Sequence, residues 1–478
     1  VDFGITLAGM VSVPLYSNQH EESIHYVLEH AEIQLVFVGK LDDSQRVRGY
    51  IPSAYKTVSF EYHKNLKVDH HWSEVMACDP LVEVIEPQPD DLYTIIYSSG
   101  TTGSPKGAMY THKAIAYYLE VFPKDLNRFN DSRRFKLISY LPLAHVYERS
   151  AIELSSLVIN ADVSFVESLD KFAKNLQEIQ PILFTAVPRI WGVFQQKIEQ
   201  KMSPTALNIL LKIPFVSAFI KKRIKHGLGF SEVSNFFSGA SYLPISIIQF
   251  FDKLGIYIQD GYGQTENLAY ATVSLLSDRK LGYVGTPRLG VEIKLSEDDE
   301  LLVYSSCLMS GYYKDKQATK NAFTSEGYLR TGDIAELDAL GRVKILGRVS
   351  EIFKNQTGEF VSPTPIEKKF TTLALIDQLC LVGRGLPSNV LIITLNEAAA
   401  ASKTKEAIIT ALQNRMRKVN GTLVKFEKIS HIIIVKSAWT PENNLLTPTL
   451  KVKRRVVEQY YADLIDHSLT LHQSVVWE

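Results

Sequence analysis

The sequence predicts an α/β fold with a large N-terminal domain and a small α+β C-terminal domain. Short apolar strands alternate with amphipathic helices as far as residue 258, which is typical of layered α/β subdomains around a largely parallel sheet. Residues 281–345 are turn-rich and indicate a β-rich subdomain, and new strands and helices follow residue 350. We therefore place the domains at 1–347 and 348–478.

The elements follow from the pattern in chain order. A helix is predicted at 21–31, where Ile24, Val27 and Leu28 share one face. Buried strands are predicted at 33–39, 55–60, 92–98, 134–143, 161–167 and 181–188. A long helix is expected at 189–202, and 232–258 indicates strand, loop, helix and strand. In the β-rich part we expect hairpin turns at Glu297–Glu300 and Asp338–Gly341. The C-terminal part indicates strands at 379–385, 389–396 and 431–436 and helices at 403–419 and 449–465.

Composition narrows the class of protein. The 478 residues are 45% hydrophobic and carry no net charge, which argues against nucleic acid as the main partner. The three cysteines are far apart and fit neither a zinc site nor a disulfide framework, so we expect a reducing, cytoplasmic compartment. No window reaches the ~18 uncharged apolar residues of a membrane span. Because the chain begins with Val1 in core-like sequence, we expect that a preceding segment is missing.

Residues 97–112, YSSGTTGSPKGAMYTH, concentrate glycines, hydroxyls and one lysine. We predict strand, loop and helix here, with Thr111 as the helix N-cap, a layout that presents backbone N–H groups to an anion. A Walker A lysine follows a glycine and precedes Ser or Thr, whereas Lys106 follows Ser-Pro and precedes Gly107, so this is not a Walker A loop. The predicted phosphate contacts are Ser98, Ser99, Gly100, Thr101, Thr102, Gly103, Ser104 and Lys106. A flexible surface turn is the alternative, and it would not need this composition.

Three further motifs carry candidate chemistry. In GYGQTE (261–266), Thr265 could donate to a phosphate and Glu266 could bind the Mg²⁺ of a polyphosphate. Asp333 follows a glycine in what we interpret as a tight turn, where it could accept both hydroxyls of a ribose or be a turn aspartate. Lys451, in LTPTLKVKRR (446–455), lies on a predicted loop entering a helix, and on its own would also suit a solvated basic face.

Together and in this order, the four motifs resemble the adenylate-forming enzymes, which include acyl-CoA synthetases, firefly luciferase and peptide-synthetase adenylation domains. The resemblance extends from about residue 1 to 465. YLPLAHVYER (140–149), FTAVPRIW (184–191), FKNQTGEFVSP (353–363) and LTPTLKVKR (446–454) are similar to long-chain fatty acyl-CoA synthetases. The resemblance implies that a carboxylate attacks the α-phosphate of ATP to give acyl-AMP and pyrophosphate. The thiol of CoA then displaces AMP. ATP, Mg²⁺ and CoA are thus the implied cofactors and co-substrates.

The resemblance also implies roles for individual residues. Lys451 approaches the carboxylate and phosphate, Thr265 contacts the α-phosphate, and Glu266 holds Mg²⁺. Asp333 and Arg348 bind the ribose. The loop at 98–107 holds the β- and γ-phosphates. Tyr262 stacks on adenine, and the other implied nucleotide contacts are Ser238, Gly239, Ala240, Asp260, Gly261 and Gly263.

By the same resemblance, the C-terminal domain is a mobile lid that rotates between the two steps. The rotation withdraws Lys451 and brings the loop with Gly358 and Glu359 to the CoA side. The hinge position, which usually holds Asp or Lys in the family, is Ser350.

The candidate residues of the acyl site each allow a functional and a structural interpretation. His145 falls where the family lines the acyl carboxylate, although a structural histidine is an alternative. Trp191 falls where bacterial long-chain members carry an aromatic gate, and a core tryptophan fits equally well. The basic stretch 220–227 fits either peripheral contact with an anionic membrane at the inner surface or a solvated helix end.

The leading prediction is an ATP-dependent fatty acyl-CoA synthetase for medium to long chains. A fatty acyl-AMP ligase or acyl-carrier-protein synthetase is the nearest alternative, but the hinge insertion common in such enzymes is not evident between Arg348 and Val361. An inactive nucleotide- or lipid-binding protein is the alternative of another class. It is disfavoured because the implied catalytic and nucleotide-binding side chains are all present. The sequence leaves chain length and oligomeric state open.

Overall fold

The computed structural model describes residues 1–16, 18–39, 43–60, 62, 66–81, 84–98, 105–127, 133–401 and 403–478. The fold is mixed α/β, with a large N-terminal domain and a smaller C-terminal domain. Every buried hydrophobic cluster in these ranges lies wholly before residue 346 or wholly after residue 352. The predicted domain boundary falls in the segment between them.

The first unit packs short helices on a small parallel sheet. Its elements are α1 (Asp2–Leu7), α2 (Glu21–His30), β1 (Leu35–Val38), α3 (Ser44–Gly49), β2 (Lys56–Ser59), β3 (His70–His71) and α4 (Trp72–Met76). Strands β1, β2 and β3 pair in parallel. The predicted helix at 21–31 is confirmed as α2, and Ile24, Val27 and Leu28 are its buried residues.

The Gly-rich motif does not lead from strand to helix as predicted. It connects two antiparallel strands, β4 (Leu92–Ser98) and β5 (Lys106–Thr111), in which Ser98 lies opposite Lys106. Helix α5 (His112–Leu126) begins only after β5, and Thr111 caps it by accepting from the Ala114 N–H at 3.3 Å. Gly107 is needed for strand packing, because a Cβ there would lie 2.7 Å from Ile95 Cγ2.

The next unit contains the sheet that positions the candidate site. Its elements are β6 (Lys136–Ser139), α6 (Val146–Glu148), β7 (Asp162–Phe165), α7 (Phe172–Ile179), β8 (Leu183–Ala186), α8 (Pro188–Lys201), α9 (Pro204–Leu210), α10 (Val216–Gly227), β9 (Asn235–Ser238), α11 (Ile245–Lys253), β10 (Ile258–Tyr262), β11 (Thr272–Val273) and β12 (Thr286–Pro287). A π-helical turn, Arg149–Leu154, follows α6. Strands β8, β9 and β10 are parallel, and β11 and β12 extend the sheet antiparallel. Parallel pairing is thus divided among small sheets and is not concentrated in one large sheet.

The β-rich subdomain is an antiparallel sheet. Its elements are β13 (Val291–Leu295), β14 (Glu300–Ser305), β15 (Gly311–Tyr312), α12 (Lys316–Ala322), β16 (Leu329–Leu337) and β17 (Val343–Arg348). The sheet has the order β13-β14-β16-β17, and β15 pairs instead with β5. Both predicted hairpins are confirmed, as β13–β14 and β16–β17. Asp333 does not lie in a tight turn as predicted. It lies inside β16, directly opposite Arg348 on β17, and the register shifts just after it.

The C-terminal domain is built on a four-stranded mixed sheet. Its elements are β18 (Phe353–Lys354), β19 (Phe360–Val361), α13 (Pro363–Lys368), β20 (Ile376–Val382), β21 (Asn389–Leu395), α14 (Glu397–Ala400), α15 (Lys405–Asn420), β22 (Ile429–Val435), α16 (Arg454–Tyr460), α17 (Ala462–Leu469) and β23 (Val475–Trp477). The order in the sheet is β20-β21-β22-β23.

Across the described ranges, no helix is long and apolar enough to cross a membrane.

The helix predicted at 449–465 begins later and is interrupted. Residues 446–453 form a closed loop in which Leu446 bridges Val452. Leu450 has φ +62°, a left-handed conformation that a helix excludes. Helix α16 therefore starts only at Arg454, and Lys451 remains on the loop, as predicted.

Candidate active site

Asp333 gathers three groups around one buried carboxylate. Its Oδ1 lies 3.1 Å from Nε of Arg348, because β16 and β17 place the two residues opposite each other. Its Oδ2 accepts from the Tyr262 hydroxyl and from Nε2 of Gln264, each at 2.6 Å. Gln264 also donates to the Thr331 carbonyl at 2.8 Å. Sequence reasoning missed Gln264, although it lies inside the GYGQTE motif.

Thr265 and Glu266 are held on a single 3₁₀ turn, Thr265–Asn267, just after β10. The Gln264 N–H donates to Asn267 Oδ1 at 2.7 Å and closes the start of this turn. The Tyr110 hydroxyl donates to the Thr265 carbonyl and accepts from the Leu268 N–H at 2.8 Å. Because Tyr110 is on β5, these two hydrogen bonds fix the GYGQTE turn against the Gly-rich hairpin.

Tyr312 connects the catalytic candidates on the two motifs. Its hydroxyl donates to Glu266 Oε1 at 2.9 Å, and Nζ of Lys106 lies 5.2 Å from its ring centroid. The structure therefore brings Lys106 and Glu266 to the same tyrosine, Lys106 against its ring and Glu266 at its hydroxyl. Tyr110 lies within the Gly-rich motif and Tyr312 lies outside every motif, and in both cases only the tertiary contact reveals the role of the side chain.

The two ends of the Gly-rich loop are joined by a hydrogen bond. The Ser98 hydroxyl donates to the Lys106 carbonyl at 3.5 Å, where the hairpin opens. The predicted phosphate contacts that lie outside the described residues are Ser99, Gly100, Thr101, Thr102, Gly103 and Ser104.

The carboxyl ends of β9 and β10 form the predicted adenine side. Ser238 is 3% exposed, and its Oγ has no hydrogen-bond partner in the described part of the chain. A Cβ at Gly239 would lie 3.3 Å from the Gly261 carbonyl oxygen, so the two loops are in close approach. Ala240 has φ +67°, a strained conformation of the kind found at functional sites. These features fit a site that completes its hydrogen bonds with a ligand.

The turn after β10 depends on glycine. A Cβ at Gly263 would lie 2.5 Å from backbone atoms of Ala269, so no other residue fits without moving the turn. At Gly261 the nearest contact, with the Thr272 carbonyl oxygen, would be 3.4 Å. Asp260 precedes this turn and accepts from the Gly261 N–H at 3.1 Å. Burial raises the pKa of Asp260 to about 8.

Lys451 reaches this site from the C-terminal domain. Its loop is closed by a Thr447 N–H to Lys451 carbonyl hydrogen bond of 2.8 Å, and Asn18 of the N-terminal domain donates to the Pro448 carbonyl at 3.2 Å. The side chain keeps access to solvent, but surrounding protein desolvates it, and together with repulsion from Arg348 this lowers its pKa. Asp333, Glu266 and Glu351 act in the opposite direction. Its ammonium group is therefore close enough to these three carboxylates and to Arg348 to respond to their charges.

His145 lies close enough to Lys451 to respond to its charge. Burial first, and the Lys451 ammonium second, lower the pKa of His145 to about 4. Its Nδ1 accepts from the Tyr147 N–H at 3.3 Å, so that nitrogen carries no proton. His145 is therefore a neutral imidazole beside the catalytic lysine candidate, at the start of α6.

Comparison with known proteins decides the family. The profile of the AMP-binding enzyme family matches residues 1–313, and that of the AMP-binding enzyme C-terminal domain matches residues 351–471. The chain belongs to the AMP-binding enzyme family. Long-chain-fatty-acid–CoA ligase 5 of Rattus norvegicus is 27% identical over 98% of this chain and 77% of its own length. Long-chain-fatty-acid–CoA ligase FadD15 of Mycobacterium bovis is 26% identical over 98% of this chain and 85% of its own length.

Solved structures of an adenylation domain and of a CoA synthetase show the same fold. The A domain of carboxylic acid reductase from Segniliparus rugosus, in complex with AMP and a co-purified carboxylic acid, aligns with a TM-score of 0.78 and 22% identity over 98% of this chain and 80% of its own. o-Succinylbenzoate CoA synthetase from Bacillus subtilis, in complex with its acyl-adenylate intermediate, aligns with a TM-score of 0.71 and 17% identity over 96% and 84%. The predicted fold class is thus confirmed.

The residues present fit a nucleotide with its magnesium ion. Ser238 offers an unpartnered hydroxyl, and Glu266 has one carboxylate oxygen accepting from Tyr312. Within the described ranges, no three His, Cys, Asp or Glu side chains converge on a metal-sized site. A single carboxylate suits Mg²⁺, which commonly takes one or two protein carboxylates and completes its shell with water and substrate phosphates.

Trp191 is not brought to the nucleotide residues. It is fully buried, and its indole N–H donates to the Ala186 carbonyl at 3.2 Å. Its ring contacts five other rings, Phe184, Phe194, Phe230, Phe236 and Phe251. These contacts are those expected of a core tryptophan. The role of Trp191 as a gate to the acyl tunnel stays a prediction.

The predicted hinge and CoA-side residues lie at the surface of the C-terminal domain. Ser350 is exposed in a 3₁₀ turn, Val349–Glu351, and Gly358 and Glu359 are exposed between β18 and β19. Gly358 has φ +87°, which the turn requires of a glycine. Arg454, which sequence reasoning missed, pairs with Glu367 at 2.5 Å and with Glu351 at 3.6 Å. It thereby ties the start of α16 to the hinge turn.

A buried glutamate in α6 makes a pH-dependent contribution to stability. Glu148 is 1% exposed, and burial raises its pKa to about 7, although the nearby Ser139 hydroxyl opposes the shift. Because the folded state holds this proton above the ordinary pKa of 4.5, stability falls as pH rises from about 4.5 to 7. We expect Glu148→Gln to remove this fall, and to be on the order of 2 kcal/mol more stable than the unmodified protein at pH 8.

Urea unfolding at pH 5 and pH 8 measures this difference. Glu120→Gln, at an exposed glutamate paired with Lys124 on α5, is the control and is expected to keep the pH-dependent loss. An unchanged pH dependence in Glu148→Gln would show that Glu148 is already charged in the folded protein.

Proposed function

We propose that the protein is an ATP-dependent fatty acyl-CoA synthetase for medium to long chains. The proposal is supported most by one observation, the convergence of Lys451 from the C-terminal domain with the Asp333–Arg348 pair and Glu266 of the N-terminal domain. Relatives named long-chain-fatty-acid–CoA ligases, aligned over nearly the whole chain, support the same activity.

In the first step, the fatty acid carboxylate attacks the α-phosphate and pyrophosphate leaves. Charge develops on the phosphoryl oxygens, and fixed cations and donors stabilise it. Lys451 would balance that charge, and Thr265 would donate to the α-phosphate. Asp333 would accept the ribose hydroxyls while Arg348 holds it in position. Mg²⁺, held by Glu266 together with the phosphates, would neutralise polyphosphate charge.

In the second step, the CoA thiol attacks the acyl carbonyl and AMP leaves. Lys451 is close enough to Arg348, Asp333 and Glu266 to respond to their charges, whereas Gly358 and Glu359 lie on an exposed turn. A rotation of the C-terminal domain about Ser350 is therefore needed to bring Gly358 and Glu359 to the CoA side. We place the structure in the adenylating arrangement of that cycle.

Pyrophosphate release from ATP tests the proposal. The assay uses carboxylic acids from acetate to oleate, each with and without CoA. We expect release that depends on medium or long acids and reaches multiple turnovers only with CoA. A single burst that CoA does not extend would indicate a carrier-protein acceptor. Absence of release with every acid would contradict the synthetase.

The gate prediction for Trp191 is tested by a conservative change. Trp191→Ala removes the centre of an aromatic cluster and is expected to cost about 3–5 kcal/mol of stability, which would obscure a change in specificity. Trp191→Phe keeps an aromatic ring there. We expect it to shift the fatty acid preference between octanoate and oleate, with little change in the KM for ATP. An unchanged fatty acid profile in a folded Trp191→Phe protein would exclude the gate.

We also propose that the basic stretch 220–227 contacts an anionic membrane, where fatty acids partition. Lys222 and Arg223 are exposed on α10, as are Phe219 at 62% and Phe215, just before the helix, at 92%. Between Glu199 and Glu232 the chain has six lysines and arginines and no acidic residue. Exposed aromatic rings beside clustered cations favour the interface of an anionic bilayer.

Flotation with phosphatidylcholine vesicles, with and without phosphatidylglycerol, measures this contact. We expect salt-sensitive binding that requires phosphatidylglycerol and is lost in the double variant Phe215→Ser, Phe219→Ser. Phe165→Ser removes an equally exposed ring (77%) outside this stretch and should bind normally. Binding without dependence on anionic lipid would contradict the contact.

A further inference from the structure

Lys368 belongs to the C-terminal domain but is bound by the N-terminal domain. It is the last residue of α13, and its Nζ donates to the Ile345 carbonyl on β17 at 2.9 Å. The same ammonium group lies 4.3 Å from the ring centroid of Tyr242, in the loop between β9 and α11. Both contacts cross the hinge turn, so they exist in only one arrangement of the domains.

The charges around Lys368 place it beside the adenine side of the candidate site. Asp260 attracts its ammonium group, and Lys344 repels it. Asp260 lies opposite Ser238 in the β9–β10 pairing, next to the unpartnered Ser238 hydroxyl. Burial, the largest effect, lowers the pKa of Lys368 to about 8. The ammonium group thus gives up hydration for contacts that the other domain provides.

We propose that Lys368 is a positioning residue that latches the C-terminal domain in the arrangement that places Lys451 at the nucleotide site. This inference rests on the proposed function, because the latch acts on one of its two half-reactions. Rotation about the turn 349–351 must withdraw Lys368 from Tyr242 and Ile345. Loss of the latch lowers the population of the adenylating arrangement without altering a group that touches ATP.

The two half-reactions of Lys368→Met separate the latch from a general structural role. Methionine keeps an unbranched apolar side chain and removes the ammonium group. We expect single-turnover acyl-AMP formation to fall about tenfold, because one charged hydrogen bond and a cation–π contact are lost. Transfer from supplied acyl-AMP to CoA should be unchanged or faster. Lys368→Arg, which restores the charge, should recover much of the adenylation rate.

Lys369→Met is the matched control. Lys369 is adjacent, but its ammonium group donates to Thr422 within the C-terminal domain at 2.8 Å, so both half-reactions should stay at the unmodified rates. An unchanged adenylation rate in Lys368→Met, or an equal loss in both half-reactions, would overturn the latch. Failure of the unmodified protein to adenylate any acid would instead contradict the proposed function itself.

Discussion

Lys451→Ala is expected to slow acyl-AMP formation by about 100- to 1,000-fold, as expected when a preorganised group that stabilises transition-state charge is removed. Transfer from supplied acyl-AMP to CoA should remain near the unmodified rate, because Lys451 must leave the site before that step. The role in adenylation agrees with the structure, in which Lys451 is close enough to Arg348, Asp333 and Glu266 to respond to their charges. Rapid-quench measurement of each half-reaction tests it.

Lys453→Ala is the control for this variant. Lys453 lies two residues further along the chain, but its ammonium group donates to Asn444, which also belongs to the C-terminal domain. Both half-reactions should therefore be close to normal. Equal loss of both half-reactions in Lys451→Ala would contradict a role confined to adenylation.

Asp333→Ala should raise the KM for ATP by about 100-fold or more, because two charge-assisted hydrogen bonds to the ribose, each about 1.5–3 kcal/mol, are lost. The change also leaves Arg348, Tyr262 and Gln264 without their shared acceptor. Asp333→Asn keeps the shape of the side chain and removes only the charge, so a smaller increase in KM is expected. ATP titration of pyrophosphate release measures both.

Asp338→Asn serves as the control because it lies in the same subdomain at the β16–β17 turn. Asp338 pairs with Arg342 at 2.7 Å and Lys280 at 3.0 Å, away from the nucleotide candidates. We expect no change in the KM for ATP. If Asp333→Ala bound ATP normally, the ribose role would be wrong, and Asp333 would be a structural partner of Arg348.

The residues of the motifs could be predicted from the sequence because the side chains that suit a phosphate stand close together in short stretches of the chain. A Gly-rich stretch, the TE pair and a lysine before a helix each name side chains suited to phosphate. Short runs of apolar residues predicted the strands for the same reason, since a strand buried on both faces is apolar along nearly its whole length, as β4 and β21 are. Both hairpins of the β-rich part followed from their turns.

The remaining features depend on tertiary contacts. The pairing of β5 with β4 placed Lys106 on a strand, and a local pattern does not reveal that partner. Tyr312 and Gln264 join the site only because separate elements meet there. The left-handed Leu450 delays α16, although leucine ordinarily favours a helix. For Trp191, the sequence pattern does not distinguish the two roles, because a gate residue and a core residue occupy the same positions of an amphipathic helix.

The central claim is that the fatty acid carboxylate attacks the α-phosphate of ATP. A fatty acid labelled with ¹⁸O in its carboxylate tests this most directly, with ATP, Mg²⁺ and CoA present and the products analysed by mass spectrometry. The mechanism requires one labelled oxygen to leave with AMP when the thioester forms, while pyrophosphate stays unlabelled. Label in inorganic phosphate, with ADP as the nucleotide product, would contradict adenylation and indicate an acyl-phosphate route.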